Sequence, residues 1–278
     1  MKIEVKSYVD RLFKRNEKQI DLSNEIVDAL RREGLSELEA VEKSEEVIKR
    51  VKKAINKKLK YYKRLALTPK YVFDDLDDDY LIRTDLVVEK NKEDIRKILE
   101  WKDQIFEILK KVTWDEFERV CKLVLQLNGV QPCNVTRGRK DGGVDVYGWL
   151  VCPESKRIFR GLKFRVICQG KHKKSGAKVG DADIGEFITD IDRLRKKQGF
   201  SLFVLPDEFL NSHSPLISVF ITNGHYSSES INMAQEYGVI LWNGDQISED
   251  IARYLDLSAF IVDGKIDYKK FREYINRV

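Results

Sequence analysis

Four residues have the types and spacing to hydrolyse a phosphodiester together: Glu118, Asp145, Gln169 and Lys171. Asp145 stands in DGGVDV, and Gln169 and Lys171 in CQGK. Alternation in GVDVYGWLV (143–151) and IFRGLKFRVICQGK (158–171) predicts two strands. On the first, Val144 and Val146 share one face, Asp145 and Tyr147 the other. On the second, Gln169 and Lys171 share a face, about 7 Å apart, and Phe164, Val166 and Cys168 share the opposite one. If the strands are neighbours, Asp145 meets that pair. A carboxylate, an amide carbonyl and an ammonium then surround one point. The glycines Gly142 and Gly143 let a backbone or ligand approach closely. The helix WDEFERVCKLVLQLNG supplies Glu118 as a second carboxylate. Glu116 is engaged instead in a capping box with Thr113. Oxygen donors of this kind suit Mg²⁺, with Mn²⁺ as substitute. Such an ion lowers the pKa of a bound water and offsets charge on a phosphodiester. Lys171 would hold or deprotonate the attacking water, or stabilise the transition state. The competing readings are a salt bridge between Asp145 and Lys171, and an exposed helix acid at Glu118.

The elements that must position these residues fall into two parts. Residues 1–110 are expected to be an all-α region serving oligomerisation or DNA or partner binding. Within it, IDLSNEIVDALRREG ends at Gly34, and Ser36 with Glu39 opens a long helix. Val41, Ile48, Val51, Ile55, Leu59 and Tyr62 form a stripe that needs a partner helix or a second subunit. The basic run at 51–64 is followed by FDDLDDDY (73–80), expected to be a solvated, flexible linker. It lacks the Gly and Glu spacing of an EF-hand. A helix over about 92–111 follows. Residues 111–278 alternate strand and helix, which predicts an α/β domain, here with a C-terminal extension. Asp183 is expected to cap a helix reaching about Lys197. SLFVLP and LISVFIT are expected strands, followed by a helix at 228–237, the strand GVILW and a helix at 247–256. A DG hairpin and a last helix end the chain.

The 278 residues carry a net charge of +5. Eleven Lys/Arg against three acids between Arg137 and Lys174 give that stretch +8 and leave −3 for the rest. This local field suits a polyanion. Arg137, Arg139, Lys140, Lys173 and Lys174 are the expected phosphate contacts, which position a duplex without reading its bases. His172 stands next to them, and Asn223 and His225 precede a helix whose first turn could face an anion. Charged residues at 35% and only two Met point to a heat-adapted protein. No run of about 18 apolar residues and no apolar leader is present, so a cytoplasmic protein without membrane contact is expected. Cys121, Cys133, Cys152 and Cys168 form no CxxC pair and are expected to be buried or half-buried free thiols. No GxGxxG, GxxxxGK[ST] or GxSxG is found, which argues against dinucleotide, P-loop and serine-hydrolase chemistry.

WDEFERVCKLVLQLNGV, RGRKDGGVDVYG, RVICQGKHKK and FITNGHYSSESINMAQEYGVILWNGDQI, in that order, resemble the Mrr-like branch of the PD-(D/E)xK restriction endonucleases, in its QxK variant. The resemblance covers about residues 113–255. It implies a restriction-endonuclease-like mixed sheet flanked by helices, Mg²⁺-dependent cleavage of double-stranded DNA, and a homodimer if both strands are cut. It also implies Asp145 as the main metal ligand, Gln169 where most relatives have an acid, Lys171 as the catalytic lysine, Glu118 as the helix acid, and Asp141 as an accessory acid of the glycine turn. The alternatives are a non-catalytic DNA-binding or assembly module on the same fold, and a nuclease specific for junctions or flaps.

Overall fold

The computed structural model describes residues 4–87, 92–136, 143–152, 161–173, 177–196 and 205–278. The chain forms two compact units, residues 1–100 and 101–278.

The first unit holds α1 (Val5–Lys14), β1 (Gln19–Asp21), α2 (Leu22–Arg32), α3 (Glu37–Arg64), β2 (Tyr71–Phe73), β3 (Tyr80–Arg83) and the short α4 (Thr84–Val87). Ser36 and Glu39 make the expected capping box at the start of α3. The stripe on α3 finds its partners within the chain. Val51 and Ile55 are buried in one core with Leu12 of α1, Ile26 of α2, Tyr71 and Leu81. Val41, expected in the stripe, is instead 51% exposed, while Ala40 and Ser44 are buried. The expected all-α region is helical but also contains a three-stranded antiparallel sheet, β1-β3-β2. Its strands are only three or four residues long, too short to show a period. The acidic run is not a linker. It closes the β2–β3 hairpin, and Asp74 and Asp77 accept backbone N–H bonds from Leu76 and Asp79. Its Asp77, Asp78 and Asp79 carboxylates lie close together, and Lys52 pairs with the latter two at 2.6 Å each.

α5 (Lys92–Leu109) contains the boundary between the units. The second unit continues with α6 (Trp114–Leu127), β4 (Val130–Val135), β5 (Val146–Val151), β6 (Lys163–Lys171), β7 (Lys178–Val179), α7 (Asp181–Arg195), α8 (Asp207–Asn211), β8 (Leu216–Thr222), β9 (His225–Tyr226), α9 (Ser228–Tyr237), β10 (Val239–Trp242), α10 (Gly244–Tyr254), β11 (Ile261–Val262), β12 (Lys265–Ile266) and α11 (Tyr268–Ile275). The main sheet runs β10-β8-β6-β5-β4. The β4–β5 and β5–β6 pairs are antiparallel, whereas the β6–β8 and β8–β10 pairs are parallel. This is the expected mixed sheet flanked by helices. On one side of β6, Ile167 joins Ile184, Phe187 and Ile191 of α7 in a core that includes Phe220 of β8. On the other side, Phe117 and Cys121 of α6 close over Gly170. Among the described residues no helix is long and apolar enough to cross a membrane. Residues 201–204 of the expected strand SLFVLP lie outside the described residues.

Candidate active site

The centre of the sheet determines where the chemistry sits. β5 and β6 pair antiparallel with Val146 opposite Cys168. One residue upstream, the Asp145 N–H donates to the Cys168 carbonyl (2.9 Å), and its own carbonyl accepts from the Thr136 N–H (2.8 Å). The Thr136 hydroxyl donates to the Val144 carbonyl at 2.6 Å. Asp145 is thereby fixed to both neighbours of its strand. Strict alternation fails here: Val144 and Tyr147 pack into the same core, because the regular strand begins only at Val146.

The Asp145 side chain is 6% exposed, and its Oδ2 accepts the Gly170 N–H at 2.7 Å. Gly170 lies between Gln169 and Lys171, so the carboxylate meets the QxK strand at its midpoint. A Cβ at 170 would come within 2.9 Å of the Cys121 Sγ and 3.6 Å of that carboxylate oxygen. Only glycine lets α6 and Asp145 close on the strand together. Gly143 has a similar duty. Its φ is +76°, and the Asp190 carboxylate of α7 occupies the space a side chain would need.

Gln169 and Lys171 point to the α7 side, as the strand period predicts. The Gln169 Oε1 is buried and has no hydrogen-bond partner among the described residues. A buried acceptor without a donor is costly unless something fills it. The Lys171 Nζ pairs with the Asp183 Oδ1 at 2.8 Å, and the Lys173 Nζ pairs with the Asp183 Oδ2 at 3.0 Å. Burial alone would raise the Asp183 carboxyl, but the two ammonium groups outweigh it and hold it below the usual carboxylate range. Asp183 does not cap α7 as expected. Gly180 stands at the N-cap, and Asp183 is the third residue of the helix. No sequence signal marked its role, since its two partners come from another element.

The other expected site residues are distributed as follows. Glu118 is half-buried on α6 beside Phe117, and its described bond is local, accepting from the Trp114 Nε1 at 2.8 Å. Arg137, Arg139, Lys140, Asp141, Gly142 and Lys174 lie outside the described residues. His172 is turned inward: its ring sits 5.5 Å from that of Phe117, and its Nε2 lies 3.3 Å from the Leu109 carbonyl. Asn223 is 1% exposed and serves as a clasp. Its Oδ1 accepts the Lys173 N–H, and its Nδ2 donates to the carbonyls of Leu109 and Lys173. His225 lies 3.8 Å from the Asp245 carboxylate, and Ser227 caps the following helix.

All four cysteines are free thiols; Cys121 and Cys168 are fully buried, and the Cys121 Sγ lies against Gly170. Burial, then the hydrogen bond with Cys121 and the Asp145 charge, push the Cys168 thiol well up, and burial pushes Cys133 up to about 12. These two thiols are inert as nucleophiles. The described oxygen and nitrogen groups at this end of β6 are one buried carboxylate, one buried amide oxygen without a hydrogen-bond partner and one ammonium with its counter-ion.

Residues 109–214 match the family model Mrr_cat, described as restriction endonuclease. No curated protein matches the sequence. Among solved structures, the chain is similar to the MspJI restriction endonuclease in complex with a 27-mer oligonucleotide (14% identity, TM-score 0.42, 69% of this chain and 37% of that one). It is similar as well to the DNA modification-dependent restriction endonuclease AspBHI (15% identity, TM-score 0.44, 63% and 40%). FokI bound to DNA is a third (11% identity, TM-score 0.40, 98% and 47%). The chain thus spans less than half the length of each of these proteins. Over residues 109–214 the chain is thus similar to the restriction endonucleases that this family model describes.

Proposed function

We propose that this chain is a Mg²⁺-dependent DNA endonuclease of restriction or DNA-processing type, acting on double-stranded DNA. The observation that carries the reading is the meeting of Asp145 with the Gln169–Lys171 strand at Gly170, the residue that follows Gln169 with its buried, unpartnered amide oxygen. The residues fit a hard divalent cation, because a carboxylate and a carbonyl oxygen without a donor are the ligands it takes. Asp145 and Gln169 would hold Mg²⁺ or Mn²⁺, with Glu118 as a further acid from α6. When bound, the ion supplies a water of lowered pKa and offsets phosphodiester charge. Lys171 would orient the attacking water and stabilise negative charge developing on the phosphate. Asp183 holds Lys171 and Lys173 in place until substrate arrives. Arg137, Arg139, Lys140, Lys173 and Lys174 contact phosphates along the duplex. Cutting both strands takes two such centres, hence a homodimer. Residues 1–110 act as a separate binding or oligomerisation region beside the nuclease part at 111–278.

One observation favours a binding-only reading: the Lys171 ammonium is already paired with Asp183. Nicking of supercoiled plasmid with Mg²⁺ or Mn²⁺ separates the two. The expected result is metal-dependent nicking by the wild type and its loss in Lys171→Ala and Asp145→Ala, with duplex binding retained in Lys171→Ala. Intact plasmid across the metal range, or wild-type rates from Lys171→Ala, would overturn the proposal.

A further inference from the structure

The first unit contains a charge arrangement that the nuclease centre does not use. From Lys49 to Arg64, α3 carries nine basic residues and no acid. Two of them are neutralised, Lys52 by Asp78 and Asp79 and Lys58 by Asp10. The remaining seven, Lys49, Arg50, Lys53, Lys57, Lys60, Lys63 and Arg64, are all exposed. None of the seven pairs with a carboxylate among the described residues. Lys49, Lys53, Lys57, Lys60 and Arg64 follow steps of 4, 4, 3 and 4, so they line one face of the helix.

This arrangement works against the helix. Like charges at i,i+3 and i,i+4 destabilise by about 0.2–0.5 kcal/mol per pair, and this face stacks five in succession. The helix dipole favours cations only within the last turn, which leaves Lys49, Lys53 and Lys57 unexplained. A surface tuned for heat would alternate signs into ion-pair networks. The opposite face of α3 is committed to the core through Val51 and Ile55. The basic face offers no large apolar side chain to enter a lipid interface, which an amphipathic membrane helix needs. What complements a straight row of cations without counter-charges, about 22 Å long at 1.5 Å per residue, is a regular row of anions. Duplex DNA presents a charge about every 1.7 Å of its axis.

We infer that the exposed face of α3, Lys49 to Arg64, is a second, sequence-independent docking surface for the phosphate backbone of duplex DNA, separate from the nuclease domain. The inference rests on the DNA part of the proposed function, and its test does not depend on cleavage. The full chain is titrated with a fluorescent 20-base-pair duplex in EDTA, by anisotropy, across a series of salt concentrations. The variant is Lys53→Gln, Lys57→Gln, Lys60→Gln and Arg64→Gln combined. Gln has nearly the helix propensity of Lys and Arg, so α3 is retained, and circular dichroism checks this. Each phosphate that the protein no longer neutralises lowers the slope of log affinity against log salt by about 0.9. The four substitutions are therefore expected to flatten the slope by about 3 to 4 and weaken binding roughly 10³-fold near 0.1 M salt. Lys269→Gln, an exposed lysine of α11 that takes no part in the proposed centre, is expected to leave the slope unchanged. If the wild type never nicks plasmid but the combined variant still loses slope, the docking surface stands and the nuclease reading falls. An unchanged slope, absence of duplex binding by the wild type, or capture of the wild type by phosphatidylserine vesicles in preference to the duplex overturns the inference.

Discussion

Asp183 gives the sharpest test of how the site is held. Its two carboxylate oxygens each take one ammonium, Lys171 at 2.8 Å and Lys173 at 3.0 Å, with all three side chains partly shielded. A partly exposed pair contributes about 0.2–1 kcal/mol. Asp183→Asn, which keeps the shape and removes the charge, should therefore cost about 1–2 kcal/mol of stability. That corresponds to a fall of about 3–6 °C in Tm for a unit of this size. The effect on rate comes from freedom. A lysine side chain carries about 2 kcal/mol of rotamer entropy. Releasing Lys171 should slow the chemical step by up to about 30-fold at 1.4 kcal/mol per decade, with KM for DNA nearly unchanged. Asp183→Glu should recover part of the loss. Single-turnover nicking kinetics beside a thermal melt read both quantities. A kcat for Asp183→Asn equal to or above that of the wild type would refute the reasoning, because Lys171 would then need no counter-ion or be withheld by it.

Two further outcomes follow from the packing. Burial raises the Asp250 carboxyl to about 6, the bond from the Asn128 Nδ2 only partly opposing it. Because the folded pKa lies above the unfolded value near 3.9, this group's contribution is most favourable below about pH 4. It is lost as pH rises to 6 and stays lost above. Asp250→Asn, whose amide oxygen still accepts from Asn128, should stabilise the protein by about 2 kcal/mol at pH 8 and not at pH 4; denaturant melts with equal midpoints at pH 8 would contradict this. Gly170→Ala should cost about 1–3 kcal/mol, since its new methyl meets the Cys121 Sγ at 2.9 Å. Adding Cys121→Ala should return part of that cost, and strict additivity in the double variant would deny the contact.

The sequence carried the parts of this architecture that repeat with a short period. The faces of β6 followed from alternation, so Gln169 and Lys171 could be placed together and Gly170 opposite them. Capping boxes at Ser36 and Thr113 fixed two helix starts to the residue. The DG turn before Lys265 appeared as a tight hairpin, with Asp263 and Gly264 both at positive φ. What escaped were features made by long-range pairing. The β2–β3 hairpin was hidden because its turn is built from aspartates, which resemble a solvated tract in one dimension. Asp183 resembled any helix-opening acid until the lysines from the end of β6 were beside it. Asn223 gave no hint that its amide would serve three backbone groups. Glu118 shows the converse limit: helix periodicity placed it near the buried face, but its indole partner on the same helix is a matter of rotamers.

The Asn223 clasp also says where the nuclease half can be separated from the rest. Its amide reaches back to the carbonyl of Leu109, the last residue of α5, and about two turns earlier on that helix Lys102 meets the buried Glu249 of α10 at 3.2 Å. A fragment starting at residue 111 would strip the clasp of one bond. It would also deprive a carboxylate that is 3% exposed of its Lys102 cation, leaving Arg253 beside it, a loss of up to about 3–5 kcal/mol where such a pair is broken. Cut before Trp101, the same half keeps its own hinge pin, and the last turns of α5 travel with the domain they fasten.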